Sequence, residues 1–244
     1  MPDLTDEILR LDQVTVADAP PYDVGLSDVS LSLAGGDLAT VLLDRVRFRT
    51  PLPDVACGVA ELEAGNAIFL GKPWTKYFAS AAARHRGMIG RVFDDHPWVS
   101  NLDVDENVLL PHLHHRHGSA GKLRERAREL AGQFGLNDLP TARPVATRPD
   151  ELKRAACVRA FLDEPRLLVL QRPTFGVYPD LMDPLLAAIE RARARGAAVL
   201  WLEDVPDVFD HPKIRATVQY RMNGPRLELI GATPPGGTPH APKL

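Results

Sequence analysis

The chain has 244 residues, 45% of them apolar, and a formal net charge of −3 at pH 7. Such an acidic chain lacks the overall positive field of a nucleic-acid-binding protein, and its length suits one large α/β domain. The two cysteines, Cys57 and Cys157, stand far apart, which favours reduced thiols in a cytosolic protein. The acidic N-terminus is not expected to act as a secretion signal, and no apolar run reaches the roughly 20 residues needed to span a bilayer.

The pattern of apolar residues predicts secondary structure along most of the chain. In chain order the predicted elements are strands over 8–16, 29–33 and 39–43, a helix from Ser119 to Phe134, a strand over 166–170, a helix around 185–189, a strand over 197–202, and a hairpin at Asn223-Gly224. Strand, helix and strand in succession indicate a parallel sheet with right-handed crossovers. The Pro- and Gly-rich residues 233–244 predict a disordered tail after a domain over 1–232.

Several short segments also occur in a characteristic order and spacing. They are Gly36-Asp37 before the strand that ends at Leu43, Cys57-Gly58, Phe69–Gly71, Met88–Phe93, Asn101–Val108, Arg159-Ala160 with Glu164–Leu168, and Pro173-Thr174 with Gly176 and Pro179. Together they resemble the nucleotide-binding domain of ABC transporters over roughly residues 8 to 230. The resemblance implies an α/β fold of the ABC-ATPase type. It has a parallel-sheet core, an antiparallel β lobe and a helical subdomain at about 95–160.

The resemblance also implies where ATP would bind, and the residue types at those positions are altered. The phosphate loop of the family corresponds to Leu43–Thr50, which contains no glycine. Leu43 and Phe48 replace its two glycines, while Arg49 and Thr50 preserve only a cation and a hydroxyl. Tight binding of ATP in the manner of the family is therefore not expected.

The positions that serve the metal ion and the attacking water are altered as well. Gln171 replaces the Walker B aspartate that holds Mg²⁺, and Arg172 replaces the glutamate that polarises water. The remaining substitutions are Asp94 for the Q-loop glutamine, Arg148 in the signature segment, Tyr178 for the D-loop aspartate and Glu203 for the switch histidine.

These substitutions predict a degenerate ATP-binding subunit that does not hydrolyse ATP and has no catalytic residue, no expected cofactor and no metal site. By resemblance it would act as a scaffold or regulator on an integral membrane permease, at the inner face of the plasma membrane. It would form a homodimer or pair with another ATP-binding subunit. One alternative is weak ATP and Mg²⁺ binding or slow hydrolysis through Arg49 and Thr50. Another is a stand-alone binding protein no longer coupled to transport.

Further segments carry narrower expectations. Trp98, Leu102 and Asn107 follow the Q-loop position, where the resemblance implies the permease interface. The segment Asp204–Val208 resembles the ATPases of phospholipid-trafficking exchangers of the Mla/MCE type, which predicts lipid transport.

The histidines of His112–His117 are interpreted as a surface feature rather than a metal site. The row of Arg45, Arg47 and Arg49 is interpreted as a solvated face, with an anion or lipid headgroup as the alternative.

Overall fold

The computed structural model describes residues 7–44, 49–95, 98–115 and 120–232, which form two β-sheets and several helices. The strands are β1 (Glu7–Val16), β2 (Leu26–Ala34), β3 (Leu38–Leu43), β4 (Ala64–Phe69), β5 (Lys72–Pro73), β6 (Ile89–Val92), β7 (Leu167–Gln171), β8 (Ala198–Glu203), β9 (Val218–Asn223) and β10 (Arg226–Ala232). The helices are α1 (Leu52–Ala56), α2 (Ala79–Arg86), α3 (Val104–His115), α4 (Ala120–Gln133), α5 (Pro149–Phe161), α6 (Met182–Ala194) and α7 (Pro206–Phe209), with 3₁₀ turns at Trp74–Lys76 and Pro144–Ala146.

A six-stranded sheet forms the centre, in the order β10-β9-β3-β8-β7-β6. The strands from β9 to β6 run parallel, and β10 returns antiparallel through the predicted hairpin. Alternate residues of β7 pack on opposite faces of this sheet. Leu168 and Leu170 pack towards the helices, whereas Leu167 and Val169 pack towards the second sheet. A strand buried on both faces must be apolar throughout, which explains the continuous apolar runs in the sequence.

The second sheet is antiparallel, with strand order β2-β1-β4-β5. Its inward residues pack with α1 and one face of the six-stranded sheet in a single apolar cluster. Helix α1 spans only Leu52–Ala56; prolines 51 and 53 stand at its start, where they are tolerated, and Gly58 with a φ of 64° follows its end. The predicted parallel core and antiparallel lobe are both confirmed.

Helices α3, α4 and α5 fall within the stretch predicted to be helical, and they pack on the other face of the six-stranded sheet. Phe134 after α4 lies with its ring 5.5 Å from that of Phe161. Helix α5 approaches β6 so closely that a Cβ atom on Gly90 would lie 1.9 Å from the carbonyl oxygen of Ala160. Only glycine fits there, so α5 is held directly against the sheet. No helix in the described ranges is long and apolar enough to cross a membrane. The tail 233–244 and Ser119 lie outside those ranges.

Candidate nucleotide-site edge and adjoining groove

The site predicted from the sequence lies along one edge of the six-stranded sheet. Strands β3, β8, β7 and β6 are parallel neighbours, so their carboxyl ends meet there. Asp44 directly follows β3, Asp204 follows β8 and Arg172 follows β7. After β6, Phe93 comes first and Asp94 second. Open parallel sheets bind their ligands outside this edge.

The guanidinium of Arg172 occupies the middle of the edge. Its side chain is only 6% exposed and forms ion pairs with Asp94 on one side and Asp204, at 3.1 Å, on the other. Its backbone has a φ of 42°, and its N–H donates to the carbonyl of Leu202 at 2.9 Å. Phe175 lies beneath the guanidinium, with the ring centre 4.8 Å away. The cation is therefore fixed by two carboxylates from neighbouring strand ends.

Lys153 and Glu203 extend this group of charges beneath the surface. Lys153, from α5, is 3% exposed, and its Nζ donates to the carbonyl of Arg172 at 3.4 Å. Burial lowers the pKa of Lys153 and raises the pKa of Glu203 to about 7. The carboxylate of Glu203 accepts bonds from Trp201 Nε1 at 3.4 Å and from the N–H of Asp204 at 3.1 Å. We call Asp94, Lys153, Arg172, Glu203 and Asp204 the charge cluster.

Gln171 is engaged by a second chain of polar contacts. Its Oε1 accepts bonds from Arg91 Nε at 3.0 Å and Nη2 at 2.9 Å. The third nitrogen of Arg91 donates to Asp54 Oδ1 at 2.6 Å, and Tyr22 donates to Asp54 Oδ2 at 2.8 Å. Burial and the bond to Asp54 raise the pKa of Tyr22 to about 12. The side-chain oxygen of Gln171 thus belongs to an internal hydrogen-bond network.

The described residues of the segment predicted to correspond to the phosphate loop are also engaged within the chain. Leu43 is buried in the core. Arg49 pairs with Asp95, and Thr50 Oγ1 accepts a bond from the N–H of Leu52 at 3.3 Å. Phe48, like Arg45 and Arg47, lies outside the described residues.

Arg148 and Tyr178 are brought to the surface rather than into the charge cluster. The Arg148 side chain is 74% exposed and pairs with Asp150 at 3.1 Å. Tyr178 is 48% exposed. Of the predicted positions, the structure joins Asp94 and Arg172 directly, and it links Glu203 to them through the N–H of Asp204.

The contributors to the two networks that were not among the predicted site residues include Asp204, Lys153 and Arg91. Asp204 and Arg91 stand at or beside the ends of buried strands, a position visible in the sequence. Lys153 had a different signal, because it lies between the buried residues Leu152 and Ala155 of α5. A lysine on an apolar helix face needs a partner.

A cavity of about 410 Å³ adjoins this edge, between β6, α1, α3 and α5. We call it the groove. Its lining residues are Asp54, Cys57, Val59, Arg86, Gly87, Ile89, Gly90, Arg91, Phe93, Pro111, His112, Arg159 and Asp163. Arg159 is stacked between Phe93 and Trp98, with centroid distances of 5.6 and 4.6 Å. Burial lowers the pKa of Arg159 to about 10. The groove thus combines apolar walls with cations.

The three residues predicted to contact a permease differ in exposure. Trp98 and Leu102 are partly buried, but Asn107 is 3% exposed. Its Oδ1 accepts from the N–H of Val99 at 2.8 Å, and its Nδ2 donates to the carbonyls of Val99, Leu102 and Asp103. Asn107 therefore shapes the 99–103 loop from inside, which corrects the expectation of a contact residue.

The histidine segment is described only in part. His112 is buried, with Nε2 at 3.1 Å from the carbonyl of Arg159 and Nδ1 at 3.8 Å from Asp163. Arg116 and His117 lie outside the described residues. Among the residues that are described, no three His, Cys, Asp or Glu side chains are grouped as a metal site.

Solved structures identify the class of fold. The dimeric bacterial ABC transporter cassette MJ0796 superposes with a TM-score of 0.78 over 91% of this chain and 97% of that chain, at 16% identity. An ATP-binding subunit of an ABC transporter superposes with a TM-score of 0.77 over 92% of this chain and 90% of that one, also at 16% identity. The two sheets and helices therefore form the ABC-ATPase fold.

Sequence relatives identify the family. The lipoprotein-releasing system ATP-binding protein LolD of Maricaulis maris is 31% identical over 203 residues, 81% of this chain and 87% of that protein. The fructose import ATP-binding protein FruK of Bifidobacterium longum is 26% identical over 220 residues, 84% of this chain and 42% of that protein. No family model matches the chain. The chain belongs to the ATP-binding subunits of ABC transporters.

Proposed function

We propose that this chain is a degenerate ABC transporter subunit that does not hydrolyse ATP and serves as a scaffold or regulator on a membrane permease. Its family membership supports the transporter role. The observation that carries the loss of hydrolysis is the guanidinium of Arg172 between Asp94 and Asp204. The guanidinium engages the carboxylates of both Asp94 and Asp204, so they are not free to serve as oxygen ligands of Mg²⁺ at this edge.

The neighbouring residues do not fit a magnesium nucleotide either. Gln171 is neutral, and its oxygen already accepts two bonds from Arg91. Asp44 Oδ2 accepts from the N–H of Gly224 at 2.7 Å, which holds a negative charge where the altered phosphate loop begins. Neither the amide of Gln171 nor the guanidinium of Arg172 offers the carboxylate that would act as a general base towards water.

Calorimetric titration of the purified chain with Mg-ATP tests this proposal. We expect no micromolar binding and no phosphate release. We expect the same of the Q171D/R172E double variant, because its phosphate loop remains without glycine. Micromolar binding that Arg49→Ala abolishes, while Arg148→Ala preserves it, would overturn the proposal in favour of a residual ATPase. The wild-type titration decides the matter even if the double variant does not fold.

The proposed permease contact is the groove. Its volume of about 410 Å³ lies within the ordinary range of binding pockets, roughly 300–1,000 Å³. Val59 and Pro111 are exposed at its wall, and Phe93 is partly so. Apolar side chains bordered by Arg86 and Arg159 suit a short amphipathic segment of a partner. The proposal includes a second ATP-binding subunit, identical or different, and a peripheral position at the cytoplasmic face of the membrane.

A photo-crosslinking residue at Val59 tests the docking in cells. We expect it to capture an integral membrane protein, identified by mass spectrometry. The matched control is the same residue at Val145, which is 95% exposed on a different element. Failure to capture a membrane protein, or equal capture from both positions, would favour a stand-alone binding protein. The substrate remains open, since the relatives are named for lipoprotein release, fructose import and arginine transport. Lipid transport stays a prediction.

A further inference from the structure

One stretch of this acidic chain contains no acidic residue. Between Glu63 and Asp94 there is no Asp or Glu, while Lys72, Lys76, Arg84, Arg86 and Arg91 all fall there, together with His85. The chain as a whole carries a formal net charge of −3, so this stretch departs from its average. The structure folds most of it into β5, the 3₁₀ turn and α2.

Three of these cations are presented to solvent. Arg86 donates to the carbonyls of Cys57 and Gly58, and Arg91 is engaged with Gln171 and Asp54. Lys72, Lys76 and Arg84 are exposed. Within the part of the chain that the structure describes, none of these three forms an ion pair.

Phe78 lies between Lys76 and Arg84 in the chain and is also exposed. It is 87% exposed and immediately precedes α2. The base below it is rigid: Trp74 stacks on Phe69 with ring centres 5.4 Å apart, and Tyr77 packs between Trp74 and His85 at 5.6 and 4.2 Å. Tyr77 also donates to the carbonyl of Phe69 at 3.3 Å. The protrusion of Phe78 is thus held by its neighbours, although its own ring is not packed.

We propose that Lys72, Lys76, Phe78 and Arg84, the α2 flank, bind the surface of an anionic phospholipid bilayer. Lysine and arginine near a membrane surface are attracted to acidic headgroups, and an aromatic ring inserts at the level of those headgroups. Stable association requires more than one such signal, and the α2 flank supplies both.

A bilayer suits this surface better than a protein segment does. Helix α2 buries only Ala82, so it presents a convex face rather than a pocket. The cations of the flank lie on long side chains that form no ion pair in the described part of the chain, which suits a diffuse layer of headgroups more than one positioned carboxylate. The inference is independent of the permease, but it agrees with docking there because Arg86 and Gly87 of this region also line the groove.

Vesicle co-sedimentation of the full chain tests the inference. We expect binding to mixed phosphatidylglycerol and phosphatidylcholine vesicles at low salt, weaker binding at high salt, and little binding to pure phosphatidylcholine. The double variant K76E/R84E should bind anionic vesicles at least about tenfold more weakly. Phe78→Ser should also weaken binding, with less effect on its salt dependence.

Matched controls separate the α2 flank from general charge and apolarity. The double variant K122E/R124E makes the same charge change on exposed residues of α4, and Val145→Ser removes an exposed apolar side chain elsewhere. Both should bind like the wild type. Equal binding to neutral and anionic vesicles, or equal losses in the controls, would overturn the inference. A different pair of results would assign the flank to an acidic protein segment instead. In that case the wild-type chain does not bind vesicles, and K76E/R84E loses a membrane protein that co-purifies with the wild type.

Discussion

The charge cluster and the α2 flank both contain several charged side chains, but those of the cluster are mostly buried and bonded whereas those of the flank are exposed. In the cluster, Arg172 and Lys153 are buried and bonded within the chain. On the flank, Lys76 and Arg84 are exposed, and Phe78 beside them is 87% exposed. Removing one partner of a buried ion pair strongly destabilises a fold, whereas exposed charges contribute little to stability and remain available to a partner. On the two proposals above, the charge cluster serves the fold and the α2 flank serves an interaction.

The largest effect should come from Arg172→Met. Removing the cation leaves Asp94 and Asp204 buried without their partner, and breaking a buried ion pair in this way costs about 3–5 kcal/mol of unfolding free energy. Urea titration measures the loss. In the control Arg148→Met, the exposed pair with Asp150 should contribute only about 0–1 kcal/mol. If both variants are equally stable, the cluster does not hold the edge together.

A pH-dependent effect should follow from Glu203. Its pKa is raised from 4.5 to about 7 in the folded chain, so the folded state binds more protons than the unfolded state between these values. Stability should therefore fall as pH rises through this window, by about 3 kcal/mol at most. Glu203→Gln should remove this decline.

Unfolding free energies measured from pH 4.5 to 8 check this prediction. The exposed Glu61 provides the control, because Glu61→Gln should keep the wild-type curve. Parallel curves for wild type and Glu203→Gln would show that Glu203 does not titrate there.

An intermediate effect is expected at Asn107 in α3. Asn107→Ala removes buried bonds to the 99–103 loop and should cost about 1–3 kcal/mol. Amide hydrogen exchange should accelerate in that loop. The exposed Asn101 is the control, since Asn101→Ala should change neither quantity. Unchanged exchange in Asn107→Ala would contradict a structural role.

The smallest effect should come from the flank. Phe78→Ser and K76E/R84E should change the unfolding free energy by no more than about 0.5 kcal/mol, because exposed side chains without partners stabilise little. Thermal unfolding checks this. A loss comparable to that of Asn107→Ala would mean that the α2 flank belongs to the packed structure and would remove its contrast with the cluster.

The fold could be predicted from the sequence because its signals lie within single elements or in the order of segments along the chain. The continuous apolar run of β7 follows from burial on both faces, and the order of the short segments follows from the family. The contacts of Arg172 were not predictable in the same way. Its partners Asp94 and Asp204 are 78 and 32 residues away, and they meet it only because β7 lies between β6 and β8.

Two side chains show that the orientation of a side chain is also hard to predict from sequence. Asn107 was expected at an interface, but an amide near the start of a helix has the same sequence signal whether it faces a partner or its own loop. Phe78 carried no signal, because exposure of a single aromatic depends on how Trp74 and Tyr77 pack beneath it. Orientation of a side chain depends on tertiary contacts, which a local pattern does not contain.

Arg91 belongs both to the groove and to the network at the sheet edge. It lines the groove, lies 4.3 Å from the ring centre of Phe93, and bonds the oxygen of Gln171. A segment seated in the groove would therefore press on a side chain that also restrains the end of β7. Information could then pass from the partner into the subunit through one residue, without a nucleotide. If the proposed docking and loss of hydrolysis hold, the permease would set the conformation of this subunit, the reverse of the order in which an ATP-driven subunit works.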